Sequence, residues 1–420
     1  MAGKKDKHKE NVFRYGLLVI CISVLLFVAV RLIALPERMG FGSDAGRDFL
    51  TVLTMVQTKV PKLIGPPSEY SLHGRQFYFG PAPYYVILPA LVISHGDPLV
   101  VSYFLIGLNA LIFFITLSVL GKTIRSPVTV TCFALLCIMT PAVVTYTRSY
   151  WNPHFMFAIS MLLLTLLIKR TFFNNQLYFF TIGLLFGVGI QFHYAFIFAV
   201  AVSMIWMIVE RQLSVRVCCF LAGGLVIGIL PLVLFELRSN FYNTRTFVAV
   251  MTNLDNTHTP FVPHTFYFIS LIPFAFFVVS HALGYIHGRY RILPYAILVL
   301  YIIAAIAKTV LPVDEPLPYA SVTEMADIIA HDRPENFNVV DQLTRDNRAM
   351  SLRYLVTIRG YTPRAVDDYS QSQILYVYTD TPLAQLLDHP VYEMQSVTPI
   401  HTIGVWHTKN GITLYKLMKE

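Results

Sequence analysis

An acidic segment that contains one arginine is the first feature of this sequence that could do chemistry. Asp44, Arg47 and Asp48 follow directly after a long apolar stretch. A carboxylate held at a membrane boundary can accept the proton of a hydroxyl group, which is the task of a general base. The same carboxylates could instead cap the helix predicted over residues 49–60, which would stabilise it by about 0.5–2 kcal/mol. Both interpretations are open at this point.

Four further groups of polar residues stand at the ends of apolar stretches. They comprise Lys62, His73, Arg75, Tyr84 and Tyr85, then Arg148, Trp151 and Asn152, then Gln191, His193 and Tyr194, and finally Glu236 and Arg238. Cationic side chains at the level of lipid headgroups suit a phosphate. Each group also has a structural interpretation, as a turn-rich loop, an aromatic anchor, a packed histidine or an internal ion pair. Because ionisable residues near membrane depth are costly, we treat all of them, together with Arg47, as candidates for binding a substrate.

The composition separates a membrane part from an aqueous part. Of the 420 residues, 55% are hydrophobic and only 13% are charged, whereas a soluble domain usually has about a quarter charged residues. The shortage of charge is concentrated in residues 12–311. The net charge of +8 does not indicate a nucleic-acid partner, because the basic residues lie in short clusters between apolar stretches. The five cysteines lack the spacing of metal ligands, so neither a metal site nor a disulfide framework is predicted.

A membrane-spanning helix needs about 20 mostly apolar residues, and this length predicts a bundle of about nine spans. The predicted spans are 13–34, 98–120, 127–146, 153–168, 177–194, 195–210, 215–236, 263–285 and 290–311. The first is read as a retained helix, because it lacks a signal-peptide cleavage site. The stretch 81–95 is too short for a span and favours a helix that lies at the membrane interface.

The lysines and arginines of short loops set the orientation of the bundle. The loops 121–126, 169–176, 211–216 and 286–291 each hold at least two basic residues, which predicts that they share the cytoplasmic side with the N-terminal tail, residues 1–12. The outer side then receives the loop 35–80, the segments 147–152 and 237–262, the residues His193 and Tyr194, and residues 312–420. We therefore expect a multi-pass protein of the cytoplasmic membrane, with its N-terminus inside and its C-terminal domain outside.

The last hundred or so residues are predicted to form a small extracytoplasmic domain. A transmembrane module over 13–311 ends in a proline-rich linker, and the domain 312–420 follows. The pattern predicts a helix over 321–331 and strands near 336–340, 351–358, 373–379, 391–397 and 402–416, which is a mixed α/β arrangement. The fold class is thus a polytopic membrane bundle, all-α in the membrane, with a small α/β domain.

Four motifs in a fixed order resemble those of the GT-C glycosyltransferases. They are the acidic segment Asp44–Asp48, a Gly-Pro-x-Tyr-Tyr-like stretch from Gly80 to Tyr85, an Arg-x-x-Trp-Asn-Pro loop from Arg148 to Pro153, and Phe-Glu-Leu-Arg from Phe235 to Arg238. The chain is most similar in pattern to the bacterial relatives of dolichyl-phosphate-mannose–protein mannosyltransferases and of the lipid A aminoarabinose transferase. Many members carry Asp-Glu in the first outer loop, whereas Ala45 follows Asp44 here.

The resemblance implies inverting transfer of a sugar from a polyprenyl-phosphate monosaccharide to an acceptor hydroxyl on a protein, lipid or polysaccharide. Asp44 would be the general base, and Asp48 would either share that role or support the loop. The cations Arg75, Arg148 and Arg238, with Lys62 and His193 behind them, would stabilise the departing lipid phosphate. No cofactor is implied, and no metal is required. The alternatives are a transporter of lipid-linked sugar, which predicts polar groups at mid-membrane, and a non-catalytic protein of envelope-polysaccharide assembly. A third alternative is a different reaction within the same fold, such as transfer of a whole oligosaccharide.

Overall fold

The computed structural model describes residues 2–169, 175–253, 264–309, 317–344, 346–388, 391–398 and 400–420, with side chains from Gly16 onward. Some predicted segments lie partly outside these residues. They are the inner loop 169–176, the outer segment 237–262, the spans 263–285 and 290–311, and the proline-rich linker.

Helices make up most of the described chain. In order they are α1 Ala2–Leu32, α2 Leu35–Arg38, α3 Ser43–Thr58, α4 Ala82–Ile93, α5 Pro98–Thr123, α6 Pro127–Met139, α7 Pro141–Arg148, α8 Phe155–Ile168, α9 Asn175–Phe192, α10 Ile197–Val209, α11 Val215–Gly228, α12 Leu230–Arg238, α13 Tyr242–Thr252, α14 Ile272–Arg289, α15 Leu293–Thr309, α16 Tyr319–Asp332, α17 Met350–Ile358, α18 Leu383–Asp388 and α19 Tyr392–Gln395. Short 3₁₀ turns lie at Asn152–His154, Tyr194–Phe196, Thr265–Leu271 and Tyr369–Gln371.

Two small sheets complete the described secondary structure. The strands are β1 Pro67–Leu72, β2 Arg75–Tyr78, β3 Phe337–Asp341, β4 Ile374–Thr379, β5 Ile400–His407 and β6 Thr413–Lys419. An antiparallel hairpin joins β1 to β2, and its turn places His73 and Gly74 at positive φ, as a tight two-residue turn requires. The other four strands form one sheet in the order β3-β4-β6-β5, with β3 parallel to β4 and the remaining pairs antiparallel.

Three described helices are long and apolar enough to cross a membrane, and two bent pairs raise the number to five. The three are Pro98–Thr123, Asn175–Phe192 and Thr265–Arg289, and the pairs are α6 with α7 and α11 with α12. Shorter apolar helices lie at Gly16–Leu32, Asn152–Ile168, Tyr194–Val209 and Leu293–Lys308. Together these nine helices and pairs coincide with the nine predicted spans, while the number that crosses the membrane stays a prediction. The predicted interfacial stretch 81–95 is the 12-residue helix α4.

Proline explains where both bent pairs break. Pro141 and Pro231 stand just inside the second helix of each pair, where their missing N–H groups interrupt the helical hydrogen bonds. The axes turn by 65° between α6 and α7 and by 67° between α11 and α12.

The chain divides into two compact units that are not continuous in sequence. The first unit comprises residues 1–33, 60–90 and 100–311, and the second comprises 34–59, 91–99 and the residues after 311. In the first unit α9 packs closely on α11 through glycines: a Cβ on Gly183 would lie 2.1 Å from the carbonyl oxygen of Leu221, and one on Gly224 would lie 2.0 Å from that of Phe180.

In the second unit the acidic segment belongs with the C-terminal residues rather than with the first helices. Backbone N–H groups of Phe41 and Tyr319 donate to the carbonyls of Leu317 and Met39. The ring of Phe41 packs edge-on against Phe49 and Tyr319. These bonds and ring contacts join the start of α3 to the start of α16.

The C-terminal residues contain both helices and strands, and three predicted elements are confirmed. The helix over 321–331 is α16, and the strands near 336–340 and 373–379 are β3 and β4. The stretch 402–416 is a hairpin of two strands, β5 and β6, rather than one.

Two predicted strands, 351–358 and 391–397, are wrong. The first is α17, where the buried residues Leu352, Leu355 and Val356 are spaced three and four apart and so line one face of a helix. Its β-branched residues favoured a strand, and packing overrides that preference. The second contains the short helix α19, Tyr392–Gln395, whose Met394 is buried in the core beside β4.

Candidate functional site

The acidic segment forms the first two turns of α3 in the second unit. The helix begins at Ser43, its N-cap is Gly42, and no side chain caps it. The capping interpretation of Asp44 and Asp48 is therefore wrong, because both residues lie inside the helix and not at its cap. Asp44 stands in the first turn, where the partial positive charge of the helix N-terminus favours a carboxylate.

Arg47 bonds to both carboxylates at once. Its Nη1 group donates to Asp44 Oδ1 at 2.7 Å, and its Nε group donates to Asp48 Oδ1 at 2.9 Å. The Asp48 side chain is 0% exposed, Arg47 is 27% exposed and Asp44 is 45% exposed. The pair of carboxylates is thus asymmetric: Asp48 is a buried anchor for the guanidinium, and Asp44 keeps an open side.

Close backbone packing fixes the position of this turn of helix. A Cβ on Gly46 would lie 2.3 Å from the carbonyl carbon of Met350 and from the nitrogen of Ser351. Only a glycine allows the backbone at the start of α17 to approach α3 so closely. One turn later Phe49 is buried and packs edge-on against the ring of Tyr354. The acidic segment is therefore held by α17, an element of the C-terminal residues.

The second unit also contains an open groove of about 960 Å³. Its lining includes Glu37, Tyr319, Glu324, Asp327, Asp332, Trp406 and Asn410. Asp327 pairs with Arg359 at 2.7 Å, and Asp332 pairs with Lys416 at 2.6 Å. Burial, reinforced by Asp97, raises the pKa of Tyr319 to about 12. For Asp332 the hydrogen bonds from Lys416 and Tyr376 outweigh the opposing effect of burial, and its pKa is lowered.

In the first unit Arg148 ends α7 and is 5% exposed. The residues after it turn sharply: Trp151 is extended, and Asn152–His154 form a 3₁₀ turn before α8. The N–H of His154 donates to the carbonyl of Trp151 at 2.9 Å, which closes the turn. The loop from Arg148 to Pro153 is thus a folded corner that begins at a buried arginine and contains Trp151.

Aromatic and histidine rings gather around this corner. Trp151 packs edge-on against His154 and Phe266, with ring centroids 5.4 and 4.9 Å apart. His193 lies 5.5 Å from Phe266 and 5.7 Å from Tyr267. The cluster joins three distant parts of the sequence within the first unit, and one of its members, Trp151, lies three residues after the buried Arg148.

Several predicted binding residues have structural partners in the first unit. The Asn152 side-chain amide donates to the carbonyl of Phe192 at 2.9 Å. Gln191 donates to the carbonyl of Gly228 and accepts from the N–H of Ala82. The Tyr194 hydroxyl donates to the carbonyl of Tyr78 at 2.7 Å. Glu236 accepts from both the N–H and the hydroxyl of Thr244. These contacts tie elements together whether or not a substrate is present.

His193 also has a local structural role. Its backbone is extended between α9 and the turn Tyr194–Phe196, and its Nδ1 accepts from the N–H of Ala195 at 3.1 Å. It therefore acts as the N-cap of the next helical segment, which is the structural alternative for this residue.

The remaining predicted residues differ in exposure. Lys62, His73, Arg75 and Arg238 are exposed, and His73 and Arg75 flank the turn of the β1–β2 hairpin. Tyr84 is buried, while the hydroxyl of the more exposed Tyr85 donates to the carbonyl of Lys62 at 2.8 Å. Arg148 is thus the buried member of the predicted set of cations.

One charged residue of the first unit, Arg31, is not among the candidates predicted from the sequence. It lies in α1, is fully buried, and its Nε donates to the hydroxyl of Thr147 at 2.7 Å. Arg31 is the one basic residue in the apolar stretch 16–34, and this was the signal from which it could have been identified. Among the described residues, no three His, Cys, Asp or Glu side chains come together as a group that could hold a metal ion.

Comparison with known proteins identifies the fold. The chain resembles ArnT from Cupriavidus metallidurans, whose crystal structure was determined bound to undecaprenyl phosphate. The TM-score is 0.56 and the sequence identity is 10%, over 94% of this chain and 97% of ArnT. No family model matches the sequence. No curated protein matches it either. The expected GT-C fold, an integral membrane architecture, is confirmed by the structural likeness.

Proposed function

We propose that the protein transfers a sugar from a polyprenyl-phosphate monosaccharide to an acceptor hydroxyl, with inversion at the anomeric carbon. The observation that carries this proposal is the likeness over 94% of the chain to ArnT, which was crystallised bound to undecaprenyl phosphate. The four motifs of the sequence supply the second support, because they fall in the order expected of GT-C glycosyltransferases. The same likeness favours a lipid phosphate as the partner of this chain.

Asp44 is the general base in this proposal. Of the two carboxylates that bond Arg47, Asp44 has an open side that a hydroxyl group can approach, whereas Asp48 is fully buried. Its contact with Arg47 holds the carboxylate in one orientation, as a base must be held within hydrogen-bond reach of the proton it accepts. Asp48 then acts through Arg47, as a positioning residue.

The reaction moves one proton and exchanges one bond. Asp44 accepts the proton of the acceptor hydroxyl. The hydroxyl oxygen of the acceptor attacks C1 of the sugar at the same time, from the face opposite the phosphate. The new C1–O bond forms while the bond between C1 and the phosphate oxygen breaks, and the electron pair leaves with polyprenyl phosphate. Negative charge therefore grows on the phosphate during the reaction, and a cation beside it stabilises the transition state more than the ground state.

Arg148 is the cation that best suits this phosphate. It is buried in the first unit at the end of α7, three residues before Trp151 of the aromatic cluster. A guanidinium away from water interacts with a phosphate more strongly than an exposed one. Lys62, His73, Arg75 and Arg238 are exposed, so each would contribute less than Arg148 to a bound phosphate.

The proposed orientation places the N-terminus in the cytoplasm and the C-terminal residues outside. The basic loops on one side of the predicted bundle support it. Ser370 is exposed, and a cysteine introduced there should react with an impermeant thiol reagent added to intact cells. The background should lack the exposed cysteines Cys21, Cys218 and Cys219. Reaction only after the membrane is opened would contradict this orientation.

The experiment that tests the function incubates purified protein in detergent with radiolabelled polyprenyl-phosphate sugars and membrane extracts. Transfer of label to a protein, lipid or polysaccharide, with release of polyprenyl phosphate, is the expected result. Binding of the donor without transfer from any sugar would favour the assembly protein. Movement of the intact donor across a vesicle membrane would favour the transporter.

A further inference from the structure

Arg31 is a fully buried cation in the first apolar helix of the chain. Its guanidinium donates to the hydroxyl of Thr147 and to the carbonyls of Phe27, Cys137 and Ile138. These four acceptors, which are its hydrogen-bond partners among the described residues, are all neutral. A charged side chain inside a membrane helix is costly to bury. We therefore expect Arg31 to have a structural or functional role that offsets this cost.

Two of the carbonyls that Arg31 bonds, those of Cys137 and Ile138, belong to the last turn of α6. In an unbroken helix the carbonyl of Cys137 would accept from the N–H of residue 141, but Pro141 has no N–H. Nη2 of Arg31 donates to this carbonyl at 2.9 Å, and Nη1 donates to that of Ile138 at 3.3 Å. The guanidinium thus supplies hydrogen bonds at the end of α6, where the proline break removes a backbone donor.

The same guanidinium also bonds the second half of the broken helix. Its Nε donates at 2.7 Å to the hydroxyl of Thr147, which lies in the last turn of α7. Its central carbon lies 3.3 Å from the centroid of the Phe27 ring, so the planar group is stacked in place. The planar guanidinium of Arg31 therefore donates hydrogen bonds to both α6 and α7, across their 65° bend.

Thr147 directly precedes Arg148, and the corner that contains Trp151 follows. We propose that Arg31 is a positioning residue: by bonding both sides of the bend it sets the direction of α7 and so holds Arg148 where it binds the phosphate of the lipid substrate. The inference rests on the proposed function for the identity of that phosphate. Arg31 itself does not touch substrate, because its side chain is enclosed by protein.

The first test measures the bend without any substrate. Arg31→Lys keeps the positive charge, but a single ammonium cannot reach acceptors on both sides of the bend at once. Amide hydrogen exchange of residues 141–150 should become about tenfold faster in this variant than in the wild type. Thr147→Val should raise exchange by a smaller factor, and Thr147→Ser, which keeps the acceptor oxygen, should restore it. Arg125→Lys, in an exposed loop of the same unit, is the matched control and should leave exchange unchanged.

The second test measures lipid binding by the same purified variants. Arg31→Lys should weaken binding of undecaprenyl phosphate about tenfold to a hundredfold. It should leave binding of the uncharged lipid undecaprenol within about twofold, because the change acts on the phosphate contact. A general loss of structure would weaken the binding of both lipids equally, and that result would contradict a positioning role.

Two other results would overturn the inference. Exchange in residues 141–150 that is unchanged in Arg31→Lys would show that Arg31 does not hold the bend. Faster exchange with unchanged affinity for undecaprenyl phosphate would show that the bend does not position Arg148. If the wild-type protein binds undecaprenyl phosphate no better than undecaprenol, the proposed function fails, and the link to a phosphate fails with it. The exchange measurement would still decide whether Arg31 holds the bend.

Discussion

The start of α3 and the corner after α7 are opposite in charge, exposure and the way they are held. At the start of α3 two carboxylates share Arg47, and Asp44 is 45% exposed. At the corner Arg148 is buried, Trp151 of the aromatic cluster follows three residues later, and two helices joined at a proline lead to it. The first region presents an open carboxylate, and the second keeps its cation away from water.

This difference suits two separate tasks. A general base must meet a variable hydroxyl that arrives from water, so an open carboxylate with a fixed orientation is appropriate. A cation that stabilises a departing phosphate acts more strongly where water is excluded. We therefore infer that proton transfer belongs to the acidic segment and phosphate stabilisation to the corner. Variants that disturb one region should leave the task of the other intact.

Gly46→Ala should have the largest effect on the acidic segment. The new Cβ would lie 2.3 Å from backbone atoms of Met350 and Ser351, and backbone cannot move aside as a flexible side chain can. We expect a loss of about 1–3 kcal/mol or more in the stability of the second unit, with loss of sugar transfer. Limited proteolysis and thermal melting of the purified variant would measure this loss.

Gly42→Ala is the matched control for Gly46→Ala. A Cβ at Gly42 meets open space, and its φ of −81° is allowed for alanine. The change should cost less than about 1 kcal/mol, since alanine is only a weaker N-cap than glycine. Equal damage from the two substitutions would contradict the close contact between α3 and α17.

Arg47→Met should have the next largest effect, because it removes a charged partner from the buried carboxylate of Asp48. We expect a loss of about 2 kcal/mol, below the 3–5 kcal/mol for a fully buried pair since Arg47 is partly exposed. The double variant Arg47→Met with Asp48→Asn should regain stability but not transfer, because Asp44 remains without the group that orients it. Thermal melting and transfer rates would be compared for each variant.

Arg348→Met is the control in the same unit. Its contact with Asp346 is 3.8 Å long and both side chains are well exposed, so its loss should be within about 0.5 kcal/mol of zero. If the double variant recovers transfer together with stability, Arg47 serves the fold alone, and the proposed orientation of Asp44 is wrong.

The sequence predicted the apolar elements better than it predicted contacts within the site. All nine predicted spans coincide with helices or bent pairs. A long apolar stretch in a membrane must satisfy its own backbone hydrogen bonds, and a helix does so. The exposure of Asp44 and the burial of Asp48 could not be predicted. They depend on α17, some three hundred residues away in sequence, and on the close approach that Gly46 allows.

The intrinsic secondary-structure preference of a segment was also a poor predictor where tertiary packing determines its structure. The β-branched residues of 351–358 favoured a strand, yet this segment is the helix α17, in which every residue from Ser351 to Val356 is buried by tertiary packing. Gln191, Asn152 and Tyr194 were candidates for binding, and each bonds a backbone carbonyl of a distant element. Arg31 could have been identified from its isolation in an apolar span, but its partners Cys137 and Thr147 could not, since they depend on the bend at Pro141.

The division of tasks is tested most directly by comparing Asp44→Asn with Arg148→Gln in two assays on the same preparations. Asp44→Asn should bind undecaprenyl phosphate within about twofold of the wild type and lose transfer by about a hundredfold or more. Arg148→Gln should weaken that binding about tenfold or more. Transfer at the wild-type rate by Asp44→Asn would contradict the account, because the proton of the acceptor would then be taken by another group.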